Sequence, residues 1–285
     1  MHQVTKRRKH AQRAESALAR ISDGGCGTWN FYDFCLHGGR ALGASCFPCS
    51  AVAPEPFLAP RTYRHRHGSE AIGIVYSPWG KQSGAHLNPS LTLTFFRLGK
   101  VHGWDAFFYL LAQFVGGLSG VLVAAVLLGV IIRDASVNYA VAVPGSEGTA
   151  VAFVAEFLIS FLLMSVVLKI SNTPRLSRYT GLFAGTLVAT YITLEAPLSG
   201  MSMNPARTLS SALPANSWTA LWIYFMAAPL GMLLAAELTL RQKGVAGINC
   251  AKLHHQNSRR CIFCEYRQQK EARREGPWNH KTITT

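Results

Sequence analysis

The longest uncharged run in the chain extends from Ala106 to Ile132, and it constrains the fold more than any other feature. About 20 apolar residues are enough to cross a bilayer as an α-helix. Three further stretches have a similar character: Thr149–Leu168, whose only charge is Glu156, Tyr179–Leu194 and Ser217–Ala236. One such run could be a helix buried in a soluble core, but several in series with interspersed glycines are typical of membrane proteins. The sequence therefore predicts an all-α membrane protein with four recognisable spans.

The charge is distributed unevenly along the chain. A formal net charge of +14 would suggest a nucleic-acid partner for a soluble protein. Here the excess of lysine and arginine lies in residues 1–69 and 241–285, whereas residues 70–240 are nearly neutral. No motif of interleaved aromatic and basic residues supports nucleic-acid binding. The sequence therefore predicts three parts: an irregular basic N-terminal segment, a membrane domain and a basic tail.

The orientation follows from the basic residues in the loops, because cytoplasmic loops carry an excess of lysine and arginine. Residues 169–178 and the tail are basic, whereas residues 133–148 hold one arginine and two acids. We therefore expect the tail on the cytoplasmic side of a multi-pass protein of the cell (inner) membrane.

One short motif occurs twice. "SGAHLNPSLTL" spans residues 83–93 and "SGMSMNPARTL" spans residues 199–209. Proline suits the first turn of a helix, and asparagine suits the cap before it. We therefore expect short helices that begin at Pro89 and Pro205, capped by Asn88 and Asn204. Because of the loop charges, the first motif should enter from the cytoplasmic side and the second from the outer side.

Two such broken helices, in matching halves of a membrane protein, predict a transport site at the midplane. Each helix N-terminus carries about half a positive charge, so two that face each other would repel cations. The asparagine NH2 groups can still donate hydrogen bonds to a passing oxygen. This combination favours a water-like or hydroxyl-bearing neutral solute. An anion would also suit helix N-termini, but Arg207 is the only cation near the second motif.

Two charged residues of the membrane domain need an interpretation. We expect Arg207 to form a constriction near the outer mouth; alternatively, it extends to the membrane interface. Glu156 lies inside a span, where an ionisable group is costly. We expect it to accept hydrogen bonds from the loop before Asn204; a proton relay is the alternative.

These residues resemble the aquaporin and aquaglyceroporin family, the major intrinsic proteins. The resemblance runs from about residue 72 to 240 and includes "AFVAEFLISFLLMSVVL" between the two motifs. It implies an inverted repeat of six spans with two re-entrant half-helices, and a homotetramer. It also implies a passive channel for water or small neutral solutes such as glycerol, which is not an enzyme and needs no cofactor. By this resemblance, Asn88 and Asn204 are the paired pore asparagines, Arg207 is the filter arginine and Glu156 is the acid of the fourth span.

The sequence departs from the family pattern inside the channel domain, residues 70–240. The first motif reads Asn-Pro-Ser, with Ser90 in place of alanine. Ile192 stands where strict water channels often have histidine, and Met201 occupies the neighbouring filter position. These apolar side chains favour small solutes beyond water.

The N-terminal segment, residues 1–69, departs further. No apolar first span is present in its sequence. Residues 64–67 place four arginines and histidines inside the expected second span, where charge is costly. By the family resemblance, the next residue, Gly68, occupies the fourth position of the selectivity filter. Read one base later, codons that can encode residues 28–37 and 64–68 give apolar runs. We therefore hypothesise that residues 25–69 are a frame-shifted translation of missing spans, which the nucleotide sequence would decide. A divergent soluble N-terminus is the alternative.

The tail, residues 241–285, contains "CAKLHHQNSRRCIFC". Cys250, His254, Cys261 and Cys264 are candidate zinc ligands, because Cys-x2-Cys is a zinc-site spacing. A solvated basic tail on anionic lipid headgroups is the alternative.

Two rival functions remain open at the level of sequence. A coupled secondary transporter also uses broken helices, but it would need a titrating pair, and Glu195 and Glu237 lie near span ends. The chain could also be a defective channel that conducts nothing.

Overall fold

The computed structural model describes residues 59–134 and 137–275, with side chains described from residue 68 to 268. Every regular element in this part of the chain is helical. Two single 3-10 turns lie in loops, at Asn138–Ala140 and Ser177–Tyr179. The α-helices are α1 (Ala59–Tyr76), α2 (Pro78–Ser83), α3 (Pro89–Arg97), α4 (Gly103–Leu128), α5 (Val130–Arg133), α6 (Thr149–Ser171), α7 (Thr180–Leu194), α8 (Ala196–Ser199), α9 (Pro205–Ala215), α10 (Leu221–Lys243) and α11 (Ile262–Glu275).

Three of the described helices, α4, α6 and α10, are long and apolar enough to cross a membrane. They correspond to three of the four predicted spans. The fourth, α7, has 15 residues and is therefore short for a complete crossing. It ends at Leu194 because Pro197 in the next turn lacks the N–H that a continuing helix needs.

The long helices expose apolar side chains along their outer faces. On α10 the exposed residues recur at every fourth position, and each is between 37% and 56% exposed: Trp222, Met226, Leu230, Leu234 and Leu238. Residues four apart lie on one face of a helix. A continuous apolar stripe along a full helix is the surface expected against hydrocarbon or against another membrane subunit.

Small residues pack the inner faces of the helices. Ala227, Ala228 and Ala236 of α10 are fully buried. At Gly231 a Cβ atom would lie 2.3 Å from the carbonyl oxygen of Phe157 in α6. Such close backbone contact requires glycine, and small residues at helix interfaces are a general feature of membrane bundles.

Helix α1 occupies the region where the second span is expected. Its backbone is helical through residues 64–67, although α1 is not among the three helices with the length and hydropathy of a span. Gly68 is buried against α7, where an added Cβ would lie 2.7 Å from both Ala189 Cβ and the Gly185 carbonyl oxygen. Most of the segment that we hypothesise to be frame-shifted, residues 25–58, lies outside the described residues.

Candidate functional site

The two Asn-Pro motifs begin two short helices, α3 and α9. Asn88 Oδ1 accepts a hydrogen bond from Ser90 N at 2.9 Å. Asn204 Oδ1 accepts from Ala206 N at 3.1 Å and from Arg207 N at 3.3 Å. Each asparagine is extended and caps its own helix, while the following proline occupies the first turn, where a missing N–H costs nothing.

The two caps are joined to each other's loops. Asn88 Nδ2 donates to the carbonyl oxygen of Met203 at 2.7 Å, and Asn204 Nδ2 donates to that of Leu87 at 2.9 Å. Each acceptor is the residue before the opposite asparagine. The N-termini of α3 and α9 therefore meet at one point, and their partial positive charges add there. Each NH2 group carries a second N–H that these bonds do not use.

The repeat in sequence is also a repeat in geometry. Gly84 and Gly200 end α2 and α8 in the left-handed conformation, with φ of 87° and 75°. One residue on, Ala85 and Met201 also have positive φ, at 60° and 44°. Non-glycine residues rarely adopt such angles, so the surrounding structure must hold both loops in place.

Matching tyrosines help to hold the two loops. Tyr109 in α4 donates its hydroxyl to the carbonyl oxygen of Ser83, and Tyr224 in α10 donates to that of Ser199. Both bonds are 2.5 Å long and buried. Ser83 and Ser199 are equivalent positions of the motif, so the same tyrosine-to-serine hydrogen bond occurs in both halves of the repeat.

Glu156 of α6 holds the second loop. Its carboxylate is fully buried. Oε1 accepts from Ser202 N at 2.6 Å and from Ser199 Oγ at 2.8 Å, and Oε2 accepts from Met203 N at 2.8 Å. A non-helical backbone inside a membrane needs such internal partners. Glu156 thereby fixes the residue whose carbonyl oxygen accepts from Asn88.

The first loop is held by different groups, which the sequence analysis missed. His86 is 1% exposed, and its Nε2–H donates to the carbonyl oxygen of Ala251 in the tail at 2.8 Å. Gln113 Nε2 donates to the His86 carbonyl oxygen at 2.6 Å. The tail also donates Leu253 N to the Gly84 carbonyl oxygen at 3.2 Å. A lone glutamine in the longest uncharged run was a usable signal, because polar groups in spans are seldom incidental.

The predicted selectivity residues lie on two helices and on the loop before one of them. Arg207 is on α9 and is half-buried, and its Nη1 is buried with no hydrogen-bond partner among the described residues. Met201 precedes α9 and is 8% exposed. Ile192 is on α7 and packs, partly buried, against the main hydrophobic core. A buried guanidinium nitrogen needs an oxygen partner, so the site beside Arg207 suits an oxygen-bearing solute.

Each loop is covered by a different segment. Over the second loop, Gly145 N donates to the Leu198 carbonyl oxygen at 2.9 Å. Under the first loop, the tail is joined to the loop after α6, since Asn249 N donates to Asn172 Oδ1 at 2.6 Å. Segments that the loop charges predict to be cytoplasmic thus share one end of the molecule.

The tail brings four potential metal ligands together. Cys250, His255, Cys261 and Cys264 have ligand atoms within 4.8 Å of one another. The sequence predicted His254 as the histidine ligand, whereas His255 is the histidine that lies with the three cysteines in the structure. His254 instead contacts the Tyr76 ring edge-on, with the ring centroids 4.9 Å apart. Adjacent side chains in a non-helical segment point in different directions, so only one of two neighbouring histidines can reach the cysteines.

Several groups in the tail have shifted pKa values, and two of them, Cys261 and Lys252, bear on the cysteine cluster. The pKa of the Cys261 thiol is lowered to about 5, chiefly because the Cys250 thiol hydrogen-bonds to it. Burial lowers the pKa of Lys252, which is 2% exposed.

The comparisons with known proteins agree with this geometry. The sequence model described as "Major intrinsic protein" matches residues 67–238, more than half of the chain. Aquaporin NIP3-1 of Zea mays is 37% identical over 175 residues, which are 59% of this chain and 55% of the relative. Aquaporin NIP6-1 of Arabidopsis thaliana is 36% identical over 167 residues, 58% of this chain and 53% of the relative. The chain thus spans about half the length of the curated relatives it matches.

Among solved structures, the aquaglyceroporin from Plasmodium falciparum has the same fold. The TM-score is 0.64 at 16% sequence identity, and the match covers 78% of this chain and 95% of the other. The predicted all-α, aquaporin-like fold is confirmed. On the family match and the shared fold, this chain belongs to the major intrinsic protein family.

Proposed function

We propose that this chain forms a passive membrane channel for water and small neutral solutes. The observation that carries the proposal is the reciprocal pair of hydrogen bonds from Asn88 and Asn204 to the opposite loops. They hold two helix N-termini against each other, where the combined positive potential opposes cations. The second N–H of each amide is a donor for a solute oxygen.

Selectivity is proposed to reside in Arg207, Ile192 and Met201. The buried, unpartnered Nη1 of Arg207 supports a donor that the solute itself would satisfy. Ile192 and Met201 supply apolar surface for the carbon skeleton of a small polyol. We therefore propose that glycerol-sized solutes pass as well as water.

A passive mechanism is favoured over coupled transport by the contacts of Glu156. Three donors already occupy its two oxygens, and two of these are backbone N–H groups that the loop needs to have satisfied. A relay that protonated this carboxyl would remove acceptors from the loop. No catalytic or cofactor role is proposed for the pore.

The cellular setting is also proposed. The apolar outer stripe of α10 supports lipid contact and assembly with further copies, and the proposed assembly is a homotetramer. The proposed location is the cell membrane, with the tail on the cytoplasmic side, because basic loops favour that side.

The test is osmotic flux through the full chain reconstituted in liposomes. Stopped-flow light scattering should show faster water efflux than from protein-free liposomes, and faster re-swelling in a glycerol gradient. The variant Arg207→Ala should change the ratio of glycerol to water flux. Wild-type flux equal to that of protein-free liposomes would overturn the channel proposal and favour a defective chain.

A further inference from the structure

The segment that follows α10 is folded onto the membrane domain. Ile248, Ala251, Leu253 and Phe263 are each at most 5% exposed. They belong to the same hydrophobic core as residues of α3, α4 and α6. Residues 248–264 are therefore part of the folded molecule, although their composition is that of a solvated basic tail.

All four ligand atoms in this segment lie within 4.8 Å of one another, and three of the distances among them are close to those of a tetrahedral centre. Cys250 Sγ lies 3.4 Å from Cys261 Sγ and 3.7 Å from Cys264 Sγ, and Cys264 Sγ lies 3.8 Å from His255 Nε2. With Zn–S bonds of about 2.3 Å and Zn–N bonds of about 2.0 Å, a tetrahedron has S···S edges of about 3.8 Å and S···N edges of about 3.5 Å. An ion at the centre would need only small movements of these side chains.

We propose that Cys250, His255, Cys261 and Cys264 bind one zinc ion in a structural Cys3His site. All four positions are protein ligands, which is typical of structural zinc and leaves no open position for catalysis. Cys261 immediately precedes α11 and Cys264 lies in its first turn. The helix N-terminus there favours thiolates, since its partial charge is positive.

The surroundings suit the charge of such a centre. Three thiolates and one Zn²⁺ carry a net charge of −1. Lys252, 2% exposed, lies two residues from Cys250, and its backbone N–H donates to Cys250 Sγ at 3.4 Å. Its ammonium donates to Asn257 Oδ1 and to the Arg259 carbonyl oxygen, each at 3.2 Å. A buried cation is costly without a nearby negative charge, and the zinc–thiolate centre would supply one.

The site would also fix the tail beneath the first Asn-Pro loop. Phe263 lies between the ligands Cys261 and Cys264, and its ring stacks on His86 with a centroid separation of 5.2 Å. Ala251, next to Cys250, accepts the hydrogen bond from His86. One ion would therefore tie together the two stretches of tail that contact His86.

A disulfide between Cys250 and Cys261 is the competing chemistry, because their sulfurs are close. Such a disulfide would not explain why Cys264 and His255 also lie close to these two sulfurs. The two possibilities make different predictions for metal content, which are testable on the intact protein.

The test uses the full chain purified in detergent without chelators, with metal content measured by inductively coupled plasma mass spectrometry. We expect one zinc ion per chain in the wild type and in His254→Asn, the matched control. His255→Asn and Cys264→Ser should lose most of the zinc. Wild type with little zinc after supplementation, or with a Cys250–Cys261 disulfide in place of the metal, would overturn the proposal, as would full zinc in His255→Asn.

A second measurement uses only the wild-type protein, so it tests the proposal even if the variants fail to fold. Wild-type protein in which Co²⁺ replaces the metal should show thiolate-to-cobalt charge-transfer absorption and the d–d bands of a tetrahedral site. Absorption typical of octahedral cobalt without thiolate ligands would contradict the assignment.

Discussion

The substitution Glu156→Gln tests how the second loop is held. The carboxylate accepts three hydrogen bonds, from Ser199 Oγ and from the backbone N–H groups of Ser202 and Met203. A glutamine of the same shape has one acceptor oxygen, and its NH2 group must face at least one of these donors. A buried donor left without an acceptor costs about 1–3 kcal/mol.

We therefore expect Glu156→Gln to lower the free energy of unfolding by about 1–3 kcal/mol, the cost of one lost acceptor. Displacement of Met203 should also reduce water permeability, since its carbonyl oxygen accepts from Asn88. Thermal unfolding followed by tryptophan fluorescence in detergent measures the first effect, and stopped-flow scattering of proteoliposomes measures the second.

The matched control is Glu147→Gln, which also removes one acid but at an exposed loop position. A surface change of this kind should alter stability by less than about 0.5 kcal/mol. If Glu156→Gln unfolds at the wild-type temperature and conducts water at the wild-type rate, Glu156 does not hold the loop.

Four further substitutions and one control test the pore and the helix packing. Asn204→Asp and Asn88→Asp should each destabilise the protein by about 1–3 kcal/mol and slow water flux to a similar degree, because each places a carboxylate against a carbonyl oxygen of the opposite loop. Clearly unequal effects in the two variants would argue against a reciprocal pair of hydrogen bonds. If Ile192 lines the pore as proposed, Ile192→His should lower the glycerol-to-water flux ratio about tenfold, because a polar ring would replace an apolar side chain. An unchanged ratio in the same stopped-flow assay would remove Ile192 from the proposed filter. Gly231→Ala should lower the free energy of unfolding by about 1–3 kcal/mol, because the added Cβ would meet the Phe157 backbone. The control Gly73→Ala adds a Cβ into open space, so it should be neutral or slightly stabilising in the same thermal assay.

Local chemistry made the half-helices predictable. Asn88 and Asn204 are caps because an asparagine before a proline can satisfy the first N–H groups of a helix, and this rule needs only neighbouring residues. The long spans were predictable for a similar reason, since hydrophobicity over about 20 residues identifies them. The apolar run Tyr179–Leu194 likewise located α7 to within one residue and ended where the helix ends, although its 15 residues are short for a complete crossing.

Long-range contacts could not be predicted in the same way. The bond from His86 to Ala251 joins residues that are 165 positions apart, and no local pattern specifies it. The sequence likewise placed three cysteines and two histidines in one tail segment, but which histidine lies beside the cysteines depends on how that segment lies against Tyr76. The composition of the tail indicated a solvated segment, whereas tertiary packing buries part of it.

The central claim is that solutes pass through this chain passively, and combined flux and pH measurement tests it most directly. Liposomes containing the full chain and an internal pH dye would be mixed with a glycerol gradient, with and without an imposed proton gradient. We expect glycerol and water fluxes above those of protein-free liposomes, unchanged by the proton gradient, and no change in internal pH during transport. Glycerol flux that depends on the proton gradient, or that acidifies or alkalinises the interior, would contradict the account.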